Sequence, residues 1–478
     1  MQSHNSQTKI IATLGPASSG KEVIRKMILE GVDVFRLNFS HSTQAEHLKL
    51  IQIIHALNLE LNTHVSVLAD LQGPKLRVGA IENNLIHLDE GDIVTFVTEK
   101  CMGTKNHIYM SYQGFPRDVR VGEAILIDDG KIKLEVTETN SIDVVKAKVI
   151  YGGPLSSNKG VNLPDTKVSL PSLSEEDISN AVFALKQGVD WIGLSFVRKA
   201  SDILDLRKII TDQNARAGII AKIEKPEALL EIDRIIELAD GIMIARGDLG
   251  VEIPFDEVPL IQKLIVGKCI MQSKPVIIAT QLMESMITNF RPTRAEANDV
   301  ANAVLDGADA LMLSGETSVG NYPVETINSM QRIIDYTEKN TNRTNPFEAL
   351  HIPLKTSPTY LADSICFNAA KLAEQVGAKA IISFTHSGYT VLKISSYRPQ
   401  ANIYAFTNNK KLVQQLSLVW GVKPFQLNSY NQLNTAVTKS VEILKAEKLL
   451  VDGDCVVFVG STPLNEHGST NMLKVSFI

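Results

Sequence analysis

The sequence predicts an α/β fold: a (β/α)8 barrel of the TIM type, interrupted by an inserted all-β lid domain and followed by a C-terminal open α/β domain. Three observations carry that expectation. Short apolar, β-rich runs alternate with helical patterns eight times between residues 9 and 313. Polar residues stand at or just past the ends of these runs at a near-regular spacing, broken by one long gap. The same alternation begins again after residue 345.

The buried runs are Lys9–Thr13, Val32–Asn38, Val65–Asp70, Trp191–Phe196, Ile219–Ile223, Ile242–Ala245, Val276–Thr280 and Ala310–Leu313. Before the fourth, Ser174 with Asp177 three residues on makes a capping-box start, Ile178, Val182 and Leu185 give an apolar face, and Gly188 a stop. Leu229, Ile232 and Ile236 form a second stripe ending at Asp240-Gly241. The strand-end polar residues are Asn38, Asp70, Ser195, Glu224, Asp248, Thr280 and Ser314. Their spacing is 24 to 34 residues except from Asp70 to Ser195, which is 125. Subtracting one βα unit leaves roughly 100 residues, the size of a small domain. In that stretch Ile125–Ile127 and Lys131–Val136 flank Asp128-Asp129-Gly130, a hairpin signal, and Val144–Ile150 is a further β-rich run. The predicted division is barrel 1–72, lid 73–170, barrel 171–345 and α/β unit 346–478, with a polar linker at Asn340–Pro346. In the last unit Ala380–Phe384, Asn402–Phe406 and Cys455–Val459 read as strands.

Composition narrows the classes. Of 478 residues 21% are charged, and the net charge of −5 excludes a strongly basic nucleic-acid footprint. No apolar stretch approaches the ~18 residues of a membrane span, and the start Met1–Asn5 lacks the features of a secretory signal. Four cysteines far apart (Cys101, Cys269, Cys366, Cys455) fit free buried thiols in a reducing compartment. A cytoplasmic protein with neither nucleic-acid nor membrane partners is expected.

Barrels place their reactive groups at the C-terminal ends of the strands. There, Arg36, Asn38 and Ser40 share one face of the second strand, and Lys222 and Glu224 share one face of the fifth. Asp248 follows the sixth. Two carboxylates from neighbouring strands suit a hard divalent cation that keeps places for substrate oxygens. Arg36 and Lys222 add positive charge where a phosphoryl group would transfer. An internal ion pair of Lys222 with Glu224, and of Arg36 with Asp70, is the structural alternative. Gly15–Lys21 matches GxxxxGK, but Glu22 stands where a P-loop needs Ser or Thr, so it is read as a helix-entry loop.

These residues sit in a longer series of segments that resembles the pyruvate kinase family over essentially the whole chain. The segments are Thr8–Ser18, Arg36–His41, Lys159–Pro164, Ser195–Arg198, Ala221–Glu224, Ala245–Gly250, Ala279–Gln281, Arg291–Glu296 and Met312–Thr317. The resemblance implies phosphoryl transfer from phosphoenolpyruvate to ADP, giving pyruvate and ATP. By it, Glu224 and Asp248 hold Mg2+ or Mn2+, Lys222 neutralises the transferring group, and amides around Gly247 and Asp248 receive the substrate carboxylate. Thr280 helps to place the substrate, and Arg36, Asn38, His41, Arg77 and Lys159 match positions that contact phosphates or nucleotide. It also implies a homotetramer and a phosphorylated allosteric effector at Thr385, Ser387, Gly388 and Thr390. The loop Gly460–Asn471 has no arginine, which leaves fructose 1,6-bisphosphate unassured.

One departure is specific. Many members carry Asp-Thr-Lys-Gly-Pro-Glu after the third strand and need potassium. Here the segment is Asp70-Leu71-Gln72-Gly73-Pro74-Lys75, which resembles the potassium-independent branch. Asn38, Ser40, Asp70, Leu71 and Lys75 would be the equivalents of the monovalent-cation site, with the Lys75 ammonium supplying the charge. K+ is therefore not expected to be required. Two competing readings are a metal-dependent aldolase or lyase of pyruvate or phosphoenolpyruvate, and a non-catalytic metabolite-binding regulator. The first would leave Arg77 and Lys159 idle, and the second would leave Lys222, Glu224, Asp248 and Thr280 without purpose.

Overall fold

The computed structural model describes residues 6–341, 352–427, 432–463 and 470–478. Residues 1–5, most of the stretch Asn340–Pro346 and the middle of the loop Gly460–Asn471 lie outside the described residues. Three strands, β1 (Lys9–Thr13), β2 (Val34–Asn38) and β3 (Ser66–Asp70), open the chain. Eight follow between β3 and the next barrel strand: β4 (Leu85–Leu88), β5 (Ile93–Val97), β6 (His107–Tyr109), β7 (Ala124–Ile127), β8 (Ile132–Thr139), β9 (Val144–Tyr151), β10 (Gly153–Ser156) and β11 (Val161–Asn162). The barrel resumes with β12 (Trp191–Leu194), β13 (Gly218–Ile223), β14 (Gly241–Ala245), β15 (Val276–Ala279) and β16 (Ala310–Leu313). The order β1-β2-β3-β12-β13-β14-β15-β16 closes on itself, and every neighbouring pair is parallel.

Each barrel strand was legible because it is buried on both faces and so reads as a continuous apolar run. One face fills the lumen with Ile11, Val34, Leu68, Trp191, Ile220, Met243 and Ile277, while the other packs on the helices. Gly218 makes room for Trp191, since a Cβ there would stand 2.4 Å from the indole ring. The lumen is stoppered from outside the barrel by Leu418, 1% exposed. Burying such a side chain contributes about 1.5–3 kcal/mol.

The insertion forms a six-stranded sheet, β11-β7-β8-β9-β5-β6, and a two-stranded one, β10-β4. The predicted hairpin pairs β7 with β8 antiparallel through Asp128, Asp129 and Gly130, all three at positive φ. Two short helical turns, Glu82–Asn84 and Phe115–Asp118, interrupt the otherwise β content. The last unit is a five-stranded sheet built from β17 (Ala380–Phe384), β18 (Asn402–Thr407), β19 (Val422–Gln426), β20 (Cys455–Gly460) and β21 (Met472–Phe477), in the order β19-β18-β17-β20-β21 with only β21 antiparallel. It docks on the barrel's N-terminal face: Arg398 pairs with Asp309 at 3.0 Å, and Lys411 with Asp190 at 2.7 Å.

Three sequence expectations are corrected. Helix Glu175–Lys186 has the capping box of Ser174 and Asp177, but its buried stripe is Asp177, Ala181, Ala184 and Leu185. Ile178 faces outward at 41% exposure, because the small alanines let the helix approach the strands closely. The stripe Leu229–Ile236 is broken into two helices, Pro226–Leu230 and Ile232–Leu238. Cys101 is exposed on the insertion, while Cys269, Cys366 and Cys455 are buried free thiols. Among the described residues no helix is long and apolar enough to cross a membrane.

Candidate active site

The parallel barrel gathers one buried polar network at its C-terminal rim. Arg36, near the end of β2, donates Nε to Asp70 Oδ2 at 2.6 Å and Nη1 to Thr13 Oγ1 at 3.1 Å. Asp70 closes β3 opposite Asn38 and is 1% exposed. Its other oxygen lies 3.3 Å from Lys222 Nζ. Lys222 pairs with Glu224 Oε1 at 2.9 Å and donates to Ser195 Oγ at 2.7 Å. The Ser195 hydroxyl in turn donates to the Leu71 carbonyl at 2.7 Å, and Glu224 Oε2 accepts the Phe196 N–H at 2.6 Å. Two cations and two carboxylates thus balance inside a site from which water is largely excluded.

Burial acts first on each of these groups, and the partners decide the outcome. It pushes the Lys222 ammonium down, but Asp70 and Glu224 outweigh it and hold the group above its ordinary 10.5. It pushes Asp70 up, but Lys222 and Arg36 bring the carboxyl below its ordinary 3.8. Glu224 is different. Burial raises it, Asp248 raises it further, and Lys222 only partly offsets them. A depressed carboxylate contributes stability that is present above its unfolded pKa and lost as pH falls through its folded one. Asp70→Asn leaves two buried cations short of an anion and is expected to cost about 3–5 kcal/mol near neutral pH. The gap in thermal midpoint from wild type should then close as pH falls below about 3.8. A gap that ignores pH would show that the Asp70 charge is not what is lost.

The opposite side of the rim is held by backbone strain and one arginine. Thr280, just past β15, and Gln281 take φ of +70° and +55°, unusual for non-glycine residues. Thr280 Oγ1 accepts the Gly247 N–H at 2.8 Å and donates to the Ala279 carbonyl at 2.5 Å. Arg246 grips Asp299 with both terminal nitrogens at 2.9 and 2.8 Å, and also reaches the Thr280 carbonyl at 2.8 Å. Half-buried Asp248 follows in the helix Arg246–Glu252 and makes no side-chain hydrogen bond among the described residues.

The remaining expected residues lie in two places. At the rim, Asn38 Oδ1 accepts the Ser40 N–H at 3.1 Å, Leu71 is buried, and His41 is exposed. On the insertion, Lys159 pairs with Asp128 at 2.8 Å and Arg77 donates to the Asn158 carbonyl at 3.0 Å. Lys75 forms no ion pair with Asp70, whose oxygens Arg36 and Lys222 occupy; its Cε lies 3.3 Å from where a Cβ on Gly160 would stand. The C-terminal loop is remote from all of these. Thr385 Oγ1 and Ser387 Oγ accept the Gly388 and Tyr389 N–H groups at 3.0 and 3.4 Å, Gly388 has φ +88°, and Thr390 shares a hydrogen bond with Thr470 at 2.7 Å.

Sequence reasoning missed the Ser195 hydroxyl as a partner of Lys222, the Phe196 amide on Glu224 and the Arg246 clamp. Ser195 was visible as a strand-end residue, but only the register of β12 with β13, Leu194 beside Ala221, brings it against Lys222. The donor set suits a divalent cation. Glu224 and Asp248 repel each other across the rim, and two carboxylates rather than a closed cage leave places for phosphate oxygens. Among the described residues no group of three or more His, Cys, Asp or Glu forms a complete metal cage.

Residues 5–327 match the family model described as pyruvate kinase, barrel domain, and residues 363–476 match pyruvate kinase, alpha/beta domain. The chain is 42% identical to the pyruvate kinase of Geobacillus stearothermophilus, covering 99% of this chain and 80% of that one. It is 41% identical to the pyruvate kinase of Mycobacterium tuberculosis, covering 98% and 97% respectively. The crystal structure of a pyruvate kinase from Cryptosporidium parvum superposes with a TM-score of 0.93 at 36% identity, covering 99% of this chain and 96% of that one. The matches span all three parts of the fold and the rim on which the buried lysine sits, and by them this chain belongs to the pyruvate kinase family.

Proposed function

We propose that the rim network carries phosphoryl transfer from phosphoenolpyruvate to ADP, the pyruvate kinase reaction. The observation that carries this reading is Lys222, a buried ammonium fixed by Ser195, Asp70 and Glu224 beside the Arg36 guanidinium. In the reaction the P–O bond of phosphoenolpyruvate breaks and a bond forms from a β-phosphate oxygen of ADP to phosphorus. Enolpyruvate then takes a proton at C3 to become pyruvate. Charge shifts onto the bridging and equatorial oxygens, and Lys222 and Arg36 face that charge from fixed positions. The backbone amides around Gly247 and Asp248 receive the carboxylate. The Gly247 N–H, which donates to Thr280 Oγ1 at 2.8 Å, has to leave that hydroxyl to do so, which puts Thr280 beside the bound substrate. Asn38 and His41 at the rim, and Arg77 and Lys159 on the insertion, contact nucleotide phosphate. For Lys159 this requires release from Asp128 as the insertion closes and excludes water.

Glu224 and Asp248 would hold Mg2+ or Mn2+, which supplies a Lewis-acid charge to the phosphoryl oxygens. The test is pyruvate formation from phosphoenolpyruvate with and without ADP and magnesium, in sodium and in potassium salts. Dependence on ADP and metal supports the reading, whereas pyruvate without ADP would favour a lyase.

Potassium independence is part of the proposal. The Asp70–Lys75 segment supplies Lys75 at the point where the chain crosses to the insertion, so a cation is carried covalently. Equal rates are expected in sodium and potassium for the wild type. Lys75→Glu is expected to be on the order of tenfold faster in potassium, since one full charge near the site is reversed. A wild type active only in potassium would sink the idea. We further place the domain boundaries at 72/73, 170/171 and 345/346, and propose a cytoplasmic homotetramer with a phosphorylated effector held by Thr385, Ser387, Gly388 and Thr390. Hydroxyls and amides at the start of the helix Tyr389–Ser396 support the effector site.

A further inference from the structure

The return crossing from the insertion to the barrel is fastened on both sides. Arg198, in the turn after β12, donates Nη1 to the Val168 carbonyl at 2.6 Å and Nη2 to the Leu170 carbonyl at 2.5 Å. Between those carbonyls, Ser169 is held by the insertion. Its N–H donates to Asp118 Oδ2 at 2.8 Å and to Tyr112 Oη at 3.1 Å, and its hydroxyl lies 2.9 Å from the same phenol oxygen. Tyr112 and Asp118 are hydrogen-bonded to each other, and Tyr112 belongs to the insertion's core, on which Val168 and Leu170 pack. Three consecutive residues therefore join a barrel guanidinium to a phenol–carboxylate pair of the insertion.

Arg198 is itself anchored. Its backbone N–H donates at 3.0 Å to Asp202 Oδ2, a buried carboxylate in the first turn of the helix Ala200–Asp212. The same short turn sets the chemistry, because Phe196, at φ +53°, gives its N–H to Glu224, and Ser195 accepts from Lys222. The outgoing crossing leans on it too. Gly73 has φ +71°, and a Cβ there would stand 2.9 Å from the Phe196 ring and 3.0 Å from Ser195 Cβ. Both crossings thus bear on residues 195–198.

We infer that Arg198 is a positioning residue, the fixed pivot of the insertion, whose grip on the carbonyls of residues 168 and 170 sets where Arg77 and Lys159 arrive over Lys222 and Glu224. The use of those two side chains rests on the function proposed above, whereas the pivot stands on the contacts alone. A guanidinium suits the task because its planar fork reaches two acceptors at once, which an ammonium on a flexible stem does not. Hinge changes move kcat and KM together, and a misplacement of about 1 Å costs on the order of a hundredfold.

The test uses the full chain with Arg198→Met, Arg198→Ala and Arg198→Lys. Hydrogen exchange is expected to speed by about tenfold or more in peptides covering residues 163–173, with the barrel strands unchanged. KM for ADP should rise and kcat fall, each by about tenfold, while KM for phosphoenolpyruvate, bound by the barrel, moves less than about threefold. Added guanidinium ion should restore part of the loss in Arg198→Ala, which vacates the space of the side chain. If Arg198→Met does not fold, Arg198→Lys, which keeps the charge and reaches one carbonyl, should show a smaller change of the same pattern. Unchanged exchange at 163–173, or a uniform rise across the barrel without guanidinium rescue, overturns the pivot. A wild type that makes no pyruvate overturns the proposed reaction instead, and the exchange comparison still decides the pivot.

Discussion

Lys222→Met is expected to lower kcat for pyruvate formation by about a thousandfold while KM for phosphoenolpyruvate changes by less than about threefold. The ammonium is fixed before substrate arrives, by Ser195 Oγ at 2.7 Å, Glu224 Oε1 at 2.9 Å and Asp70 Oδ1 at 3.3 Å. No reorganisation is then needed when charge develops on the phosphoryl oxygens, and in a low-dielectric site such a fixed charge acts strongly. In the proposed function, ground-state binding of the carboxylate and phosphate would still have Arg36 and the Gly247 region, so the loss is expected in the transition state. Methionine matches the stem but strands Asp70 Oδ1, Glu224 Oε1 and Ser195 Oγ without their shared donor, so the thermal midpoint should fall as well. Assay well below that midpoint separates the two effects. Retention of more than about a tenth of wild-type kcat would remove Lys222 from the role.

The sequence shows the barrel clearly because a strand buried on both faces must be apolar along its length, and eight such runs leave little else to build. It shows Arg36, Asp70, Lys222 and Glu224 as candidates because a polar group at the end of an otherwise apolar run is conspicuous. It names two of their pairings, Lys222 with Glu224 on one face of a strand and Arg36 with Asp70, and both form. It does not show that Lys222 also meets Asp70 and Ser195, which depends on register between strands far apart in sequence and on both carboxylates being desolvated together. The edge strand β19 escaped notice because Pro424 within Val422–Gln426 argues against a strand, yet an edge tolerates it. Leu418 as the stopper of the barrel was equally hidden, since nothing local to a leucine says which domain it will fill. Lys159 shows the limit in the other direction: its motif is clear, but in this structure it sits on Asp128.

If the proposed metal site is right, Glu224→Gln and Asp248→Asn are each expected to weaken Mn2+ and Mg2+ binding by about a hundredfold or more, since each would remove one of its two charged ligands. The metal-free protein offers a sharper expectation. Burial first, and then the Asp248 charge, hold the Glu224 carboxyl above its ordinary 4.5. A raised acid favours the folded state when protonated, so the ionised carboxylate weighs against folding once pH passes the unfolded value. At pH 7 the neutral amide of Glu224→Gln, which still accepts the Phe196 N–H, should therefore leave the metal-free thermal midpoint no lower than wild type. The divalent cation reverses the comparison. Bound to the folded state alone, it stabilises the wild type by about 2.7 kcal/mol at a hundred times its Kd. In both variants that gain should fall to about 0.4 kcal/mol or less at the same concentration, a comparison that needs no assay of activity. A variant whose midpoint rises with metal as much as the wild type's would show that the cation is held elsewhere. A metal-free Glu224→Gln that melts far below wild type would show instead that the carboxylate serves chiefly as the partner of Lys222.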